Sequence, residues 1–141
     1  MVFLAIASGA KGILYYDFES LRSNPALWRK VGRINRLLTH LAPLLLSPTS
    51  EAKVGLASPD TPIVTLAKTK SEKTLLICVN TSRETVRLRL SLTGLAEHAK
   101  VTELLGTTWP RLSEDWLTAT LTPLAVGLYQ IVPTRGSESQ P

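Results

Sequence analysis

Two neighbouring carboxyl groups, Asp17 and Glu19, are the residues in the first part of the chain that could do acid–base chemistry. They directly follow Tyr15 and Tyr16, at the end of the apolar run GAKGILYYDF, residues 9 to 18. General acid–base catalysis needs one group that gives a proton and one that takes it. An independently acting enzyme would therefore have to use Asp17 and Glu19 as a pair, and no other residue pattern supports that reading.

Thiol and imidazole groups are too few to build other kinds of site. Cys78 is the single cysteine, which excludes an internal disulfide, and His40 and His98 are the two histidines. This set lacks the ligand spacing of a zinc site, so we predict neither a bound metal nor a cofactor. Because no histidine lies near Cys78 in the sequence, we interpret Cys78 as a small buried hydrophobic residue and not as a nucleophile.

The three tryptophans offer flat aromatic surfaces. Trp28 recurs with other apolar residues at helical spacing and is predicted to lie in a core. Trp109, in GTTWPRL, and Trp116, in SEDWLT, lie in or beside predicted loops, where exposed rings would stack on sugars. In the alternative interpretation, both rings cover a hydrophobic core and each indole N–H finds a backbone partner.

The elements that position these residues begin with a helix and a strand. Residues 2 to 8 are predicted to be the last turns of a helix that ends at Gly9. Residues 11 to 18 read as a strand, because Ile13 to Tyr16 are consecutive apolar residues, a pattern typical of strands covered on both faces. A parallel partner for such a strand would have to come from another βα unit, which this sequence does not contain.

A helix over about residues 25–42 is predicted next. Asn24 is a good N-cap, Pro25 suits the first helical position, and apolar residues recur at spacings of about 3.6. Pro43 should end or kink this helix close to Ala42. The opposite face is basic, but its cations alternate with the apolar stripe and carry no interleaved aromatic residues. We interpret it as a solvated surface and do not expect nucleic acid as a partner.

From about residue 53 the hydrophobic period changes to two. In TVRLRLSL the leucines point one way while Arg87 and Arg89 point the other, as in a half-buried antiparallel strand, and we interpret these arginines as protection of a sheet edge. WLTATLTP repeats the alternation. Six or seven short strands at this spacing predict a β-sandwich. The other predicted strands are Ile63 to Lys68, Thr74 to Asn80, Lys100 to Leu105 and Val126 to Val132.

Composition sets the outer limits. With 141 residues, 44% hydrophobic and 19% charged, the chain has the size of one ordinary globular domain, and its net charge of +5 is a modest excess. MVFLAIASGA imitates a signal peptide, but no Lys or Arg precedes its apolar run. No stretch approaches the roughly 18 to 20 apolar residues that span a bilayer. We therefore expect a soluble, cytoplasmic protein without a membrane partner.

Most of the chain, from residue 1 to about 133, resembles part of a known enzyme family. GAKGILYYDF with the helix LWRKVGRINRLLTHLAPLLL resembles the eighth βα unit of a (β/α)8-barrel glycoside hydrolase, in which a G-A-x-G turn enters the last strand. KTLLICVNTSRETVRLRLSLTGL and LTPLAVGLYQIV resemble the β-sandwich that follows the barrel in many such enzymes. Recurring patterns of that sandwich fall on Asn80, Thr81, Ser82, Pro123, Val126, Tyr129 and Ile131.

This resemblance implies roles for the residues at the end of the predicted strand. Barrel active sites lie at the C-terminal ends of strands, so Asp17 becomes the candidate catalytic acid, and Tyr15 and Tyr16 become candidates for lining the substrate. In the alternative, the tyrosines pack under the helix while Asp17 and Glu19 are solvated. The two catalytic carboxyl groups of the family follow the fourth and seventh strands, which would precede Met1. The chain by itself is therefore expected to be inert, with no catalytic residue.

The sequence thus predicts a mainly β protein, an antiparallel β-sandwich preceded by a strand–helix remnant of a barrel. The expected boundaries are residues 1–50 for the last βα unit, 51–133 for the sandwich and 134–141 for a disordered tail. The expected function is that of a non-catalytic accessory part of a glycoside hydrolase, structural or close to the carbohydrate. The alternative is a stand-alone binding module for carbohydrate or a protein partner. Expected partners are carbohydrate and either the missing barrel portion or a second copy of the chain.

Overall fold

The computed structural model of the chain describes residues 1–48, 53–93 and 99–134. The predicted boundary near residue 50 and the tail beyond Thr134 lie outside these residues. The elements of the described part are α1 (Val2–Ala7), α2 (Phe18–Ser23), α3 (Pro25–Leu45), β1 (Lys53–Leu56), β2 (Ile63–Lys70), β3 (Lys73–Asn80), β4 (Val86–Thr93), β5 (Ala99–Glu103), β6 (Arg111–Ser113), β7 (Trp116–Leu121) and β8 (Val126–Pro133).

The strands form two antiparallel sheets packed face to face. Sheet A has the order β2-β3-β8-β5, and sheet B has the order β1-β4-β7-β6. In β4 buried residues alternate with exposed or half-buried ones, as expected for a strand with one face on a core. The mainly β fold with an antiparallel sandwich is therefore confirmed. The buried residues between the sheets include Leu76, Cys78, Leu88, Leu90, Leu117, Leu121, Tyr129 and Ile131.

Strand β3 is buried on both faces because helices cover the outer face of sheet A. Leu76 and Cys78 belong to the core between the sheets, whereas Leu75, Ile77 and Val79 belong to a second core on the outer face. Full burial of a large aliphatic side chain contributes about 1.5–3 kcal/mol, so this second core is a substantial source of stability. The buried helical residues in it are Phe3, Leu41 and Leu44.

Asn80 ends β3 and ties the two sheets together. Its side-chain nitrogen donates to the backbone carbonyls of Glu84, Leu121 and Thr122 at 2.7, 3.2 and 3.0 Å. Its side-chain oxygen accepts from the N–H and the hydroxyl of Ser82, both at 2.9 Å. A fully buried amide must find its partners inside the protein, and this one has them all. The pattern of Asn80 with Ser82 is thus a structural device at the end of a strand.

Gly127 and Tyr129 form a second device, in β8. The ring of Tyr129 folds back over Gly127, so that a Cβ on Gly127 would clash with the Tyr129 hydroxyl and ring carbons. The Tyr129 hydroxyl shares a hydrogen bond of 2.9 Å with the hydroxyl of Thr108. Burial raises the pKa of Tyr129 to about 12. The glycine is needed here for space and not for its backbone freedom.

Residues 11–17 form no strand, in contrast to the prediction. They run as irregular chain between α1 and α2, and α2 begins at Phe18. Both sheets of the described residues are complete without them. An apolar run becomes a strand only where a neighbouring strand supplies hydrogen bonds, and none of the described strands does so. The pattern identified the apolar character of the run correctly, but not its secondary structure.

Helix α1 ends at Ala7 with Ser8 as its C-cap, and Gly9, the residue predicted to stop the helix, follows directly. Gly9 has a φ of 103°, in the region that favours glycine. The N–H of Ala10 donates to the carbonyl of Ala5, and that of Gly9 donates to the carbonyl of Ile6, both at 2.9 Å. These two bonds form a Schellman motif, which satisfies carbonyls that the end of the helix would otherwise leave free.

Helix α3 begins as predicted and ends later. The side chain of Asn24 accepts from the N–H of Leu27 at 3.1 Å, and Pro25 is the first helical residue. The helix then continues through Pro43 to Leu45 instead of ending near Ala42. Because Pro43 lies in the last turn, its missing N–H removes one hydrogen bond from a turn that would fray in any case. No helix in the described ranges has the length and apolar character needed to cross a membrane.

Trp28 does not lie in a core, which makes that prediction wrong. Its side chain is 46% exposed, and its ring packs edge-on against Phe18 with 5.5 Å between the centroids. The apolar stripe of α3 is fully buried only near its C-terminal end, where Leu41 and Leu44 join the outer core of sheet A. The N-terminal half of α3 carries its part of the stripe without a comparable cover.

Candidate functional site

The segment 11–17 places its two tyrosines in opposite environments. Tyr15 is half-buried, and its hydroxyl donates to the side-chain oxygen of Asn35 on α3 at 2.7 Å. Tyr16 is 96% exposed and its neighbour Leu14 is 94% exposed. Tyr15 thus fastens the segment to α3, while Tyr16 presents both its ring face and its hydroxyl to solvent.

A cleft of about 1200 Å³ lies between this segment, α3 and β2. Tyr15 and Asn35 line it, together with the basic side chains of Lys11 and Lys68. The amino group of Lys68 donates to the backbone carbonyl of Ser47 at 3.0 Å, so this lysine is already engaged with the protein. The lining of the cleft does not include the other four candidate site residues. The predicted residues therefore do not converge on it.

Asp17 serves as the N-cap of α2. Its carboxylate accepts from the N–H of Ser20 at 3.2 Å, and its backbone has a left-handed φ of 64°. Hydrogen bonds from the side chain and the backbone of Ser20 lower the pKa of Asp17. A general acid must hold its proton near neutral pH, which requires a shift in the opposite direction. In this environment Asp17 is an ionised carboxylate, and Glu19 lies beside it in the first turn of α2.

Trp116 opens β7 and is half-buried. The guanidinium carbon of Arg89 lies 4.3 Å from the centre of its ring, a cation–π contact. Cross-strand pairing sets this contact, because Ser91 of β4 pairs with Trp116, and Arg89 is the next outward-facing residue along the same strand. One face of the Trp116 ring is therefore covered by a cation.

Trp109 is 89% exposed on the connection between β5 and β6. The residues before it are tied to the sandwich. The carboxylate of Glu103 accepts from the N–H groups of Gly106 and Thr107, and the hydroxyl of Thr107 donates to the carbonyl of Val126 at 3.1 Å. Trp109 is thus an exposed ring next to an anchored loop, which is the arrangement that a stacking platform requires.

The candidate residues form two separate groups. Tyr15, Tyr16 and Asp17 are consecutive before α2, whereas the tryptophans flank β6. Arg111, at the start of β6, follows Trp109 closely, while the end of β6 pairs with Trp116. Their assignment to a binding site stays a prediction. In the part of the chain that the structure describes, no cluster of His, Cys, Asp or Glu side chains is suited to hold a metal ion.

Two residues that contact these candidates were missed from the sequence, Asn35 and Arg89. Asn35 is an exposed residue of α3. Its contact with Tyr15 depends on how the irregular segment 11–17 folds against the helix, which the periodicity of the sequence does not reveal. Arg89 had a readable signal, since alternation places it on an outward face, as it does Thr118 of the WLTATL strand. The missing information was the register between β4 and β7.

Two solved structures share this fold. An α-amylase from Anoxybacillus, described as giving insight into a new glycosyl hydrolase subclass, matches with a TM-score of 0.60 and 18% identity over 80% of this chain. An α-amylase from H. orenii matches with a TM-score of 0.50 and 13% identity over 82%. The chain spans 24% and 22% of the length of these two proteins. No family model and no curated protein matches the sequence. The resemblance to a barrel glycoside hydrolase is thereby confirmed at the level of the fold, which is the fold of about a quarter of each α-amylase.

Proposed function

We propose that this chain is a non-catalytic part of a glycoside hydrolase, which packs against a (β/α)8 barrel through the segment 11–17 and the N-terminal half of α3. The observation that carries the proposal is the state of residues 11–17. They are apolar in pattern, and in the described part of the chain residues 11–16 form no backbone–backbone hydrogen bond. Backbone groups of this kind are a template for pairing with other strands.

Exposed apolar side chains on and beside this segment support the same interface. Leu14 and Tyr16 stand almost fully in solvent, and Phe18 on α2 is 55% exposed. On α3, Leu27 and Trp28 are 43% and 46% exposed. Clusters of large apolar side chains on a surface mark interaction sites. A barrel strand is covered on both faces, so a barrel would bury this kind of apolar run.

The fold comparison supports the choice of enzyme class. Both similar structures are α-amylases, of which the matching part makes up 24% and 22% of the length. Glycoside hydrolysis requires two suitably spaced carboxyl groups. Asp17, the candidate acid of this chain, is committed as an ionised helix cap. Hydrolysis is therefore assigned to the barrel, and the sandwich has a structural role beside it.

Sedimentation velocity tests the docking part of the proposal. The isolated chain should self-associate through its exposed apolar surface, and the double variant Leu14→Ser, Trp28→Ser should be monomeric. Leu124→Ser is the matched control, because Leu124 is 65% exposed but belongs to the sandwich. A monomeric unmodified chain, or equal effects of the control and the double variant, would contradict the docking surface.

The coding sequence upstream of the Met1 codon tests the parent enzyme. An open frame that encodes alternating strands and helices with carboxyl groups at strand ends is the expected result. A stop codon immediately upstream would overturn the assignment to a larger hydrolase, whatever the sedimentation result. The isolated chain is also expected to show no glycosidase activity, and an activity lost in Asp17→Asn would reverse the assignment of Asp17.

A second candidate function rests on Trp109. Its exposed ring beside an anchored loop fits a stand-alone carbohydrate-binding module. Native electrophoresis through gels containing soluble starch tests it. The module would be retarded, Trp109→Ala would abolish the retardation, and Trp28→Ala would leave it unchanged. Equal mobility with and without starch would remove this function.

A further inference from the structure

The outer face of sheet B carries three exposed arginines. Arg87 and Arg89 lie on β4, which pairs with β7 beside both residues, whereas β1 pairs only with residues 90–93 of β4, so the interpretation that they protect a sheet edge stays a prediction. Arg111 lies on β6 and is also exposed. None of the four strands of sheet B contains an aspartate or a glutamate. In the described part of the chain none of these arginines has a carboxylate partner.

The strand register brings the three cations close together. Thr118 of β7 pairs with Arg89 on one side and with Arg111 on the other. Neighbouring strands lie about 4.8 Å apart, so the Cα atoms of Arg89 and Arg111 are separated by about 10 Å. Arg87 precedes Arg89 by two residues and lies on the same face, at a Cα distance of about 7 Å. Three positive charges in this area repel one another until an anion binds between them.

Trp116 prepares one of these arginines for binding. The Arg89 guanidinium lies over the Trp116 ring at 4.3 Å. Stacking fixes the plane of a guanidinium and leaves its N–H edges free, and these edges match a carboxylate or sulfate through two parallel hydrogen bonds. Less side-chain entropy is therefore lost when an anion is bound. The contact between Arg89 and Trp116 would thus orient Arg89 for an anion in addition to packing the two side chains together.

Hydroxyl groups surround the arginines on the same face. The side chains of Ser91 and Thr93 share a hydrogen bond of 3.1 Å on β4, and Thr118 stands between Arg89 and Arg111. Thr120 pairs with Arg87. Hydroxyls donate to and accept from sugar hydroxyls equally well. The face thus combines three cations, one of them held over the Trp116 ring, with neutral groups suited to a sugar.

We propose that the outer face of sheet B binds an acidic polysaccharide, whose carboxylate or sulfate groups pair with Arg87, Arg89 and Arg111. The requirement for negative charge rests on the face itself, and the choice of a sugar polymer rests on the proposed function. A single-stranded nucleic acid would need free aromatic rings for its bases, and the one aromatic residue on the four strands of sheet B, Trp116, already has a ring face under Arg89.

Isothermal titration of the 141-residue chain with polygalacturonate tests this binding. Arg89→Gln and Arg111→Gln should each weaken the affinity about tenfold, the loss expected for one charge-assisted contact. Arg33→Gln is the matched control, because it removes the same charge from an exposed position on α3 and should change the affinity less than twofold. Trp116→Leu keeps all the charges but frees Arg89, and should give an intermediate loss.

Three results would overturn the proposal. These are absence of binding, equal losses in Arg33→Gln and the sheet B variants, and tighter binding to neutral starch or to DNA than to polygalacturonate. Circular dichroism checks that each variant is folded, and because the substitutions lie on two strands, Arg111→Gln decides the outcome if Arg89→Gln fails to fold. The sedimentation and upstream-sequence results are independent of this titration, so failure of the proposed function is distinguishable from failure of the anionic face.

Discussion

Strand β3 and the segment 11–17 are two apolar runs of similar length with opposite fates. The run TLLICVN of β3 has β2 and β8 as neighbours and is buried on both faces. The run GILYYDF has no strand neighbour among the described residues and leaves Leu14 and Tyr16 in solvent. A continuous apolar pattern therefore indicates side chains that need to be buried on both faces and a backbone that needs hydrogen-bond partners. Whether the requirement is met depends on what else is folded beside the run.

Leucines at matched positions of the two runs give the largest expected contrast. Leu76 is fully buried, so Leu76→Ala should lower the free energy of unfolding by about 3–5 kcal/mol through lost burial and a new cavity. Leu14→Ala should change it by less than about 0.5 kcal/mol, since the side chain is already in water. Urea unfolding followed by fluorescence measures both values. A loss of more than about 2 kcal/mol in Leu14→Ala would show that the segment is covered in solution.

The second-largest effect is expected at Asn80, the buried polar residue that ends the β3 run. Asn80→Ala should cost about 2–3 kcal/mol, because three backbone carbonyls and the Ser82 donors lose a buried partner. The same unfolding measurement applies. Ser82→Ala removes a half-buried hydroxyl that bonds to Asn80 and Glu84, leaves the three carbonyl contacts of Asn80 in place, and should cost less. If both variants cost equally little, Asn80 does not hold the sheets together.

Buried Tyr129 is expected to make the free energy of unfolding depend on pH in the alkaline range. Burial raises the pKa of Tyr129 from 10.0 to about 12, so the unfolded state loses its proton first. The stabilising effect of this group is complete below pH 10 and declines by about 1.4 kcal/mol per pH unit as the pH rises towards 12. Tyr129→Phe should flatten the decline. Burial also raises the pKa of Cys78, but that contribution is present in both proteins and cancels. An identical slope in the variant would contradict the assignment.

Asp17 should give the smallest effect. Asp17→Ala removes the cap of α2 and should speed amide hydrogen exchange at Ser20 without a measurable change in global stability. Because hydrogen bonds from Ser20 lower the pKa of Asp17, the cap is intact above the ordinary value of 3.8 and is lost as the pH falls through the lowered pKa. Asn24→Ala, at the cap of α3, is the comparison, and exchange at Ser20 should not respond to it.

The sequence predicted those parts of the fold whose signals are local. Alternation in TVRLRLSL and WLTATL identified two strands of sheet B, and Asn24 with Pro25 located the start of α3. The short strands β1 and β6 were not predicted, because four and three residues are too few to show a period. Trp28 and the segment 11–17 were misjudged because burial and strand pairing depend on residues distant in the sequence, which a local pattern does not reveal.

Less of the candidate site was predictable. Tyr15, Tyr16, Trp109 and Trp116 were chosen by residue type, and type does not reveal that Tyr15 would donate to Asn35 or that Arg89 would cover Trp116. Both contacts depend on folding geometry between residues of different elements. The alternation of strand residues showed which side chains face outward, but only the register showed that three arginines share one small area.

Helix α3 extends about 31 Å from Pro25 to Leu45, and only its C-terminal part is anchored on sheet A. A single unbroken helix transmits orientation in a way that a flexible linker does not. A protein domain that packs on the N-terminal half of α3 is therefore held at a fixed angle and distance from the sandwich. A destabilising change in that domain would act through the helix on the outer core around Leu44. The domain and the sandwich are therefore expected to unfold as one unit.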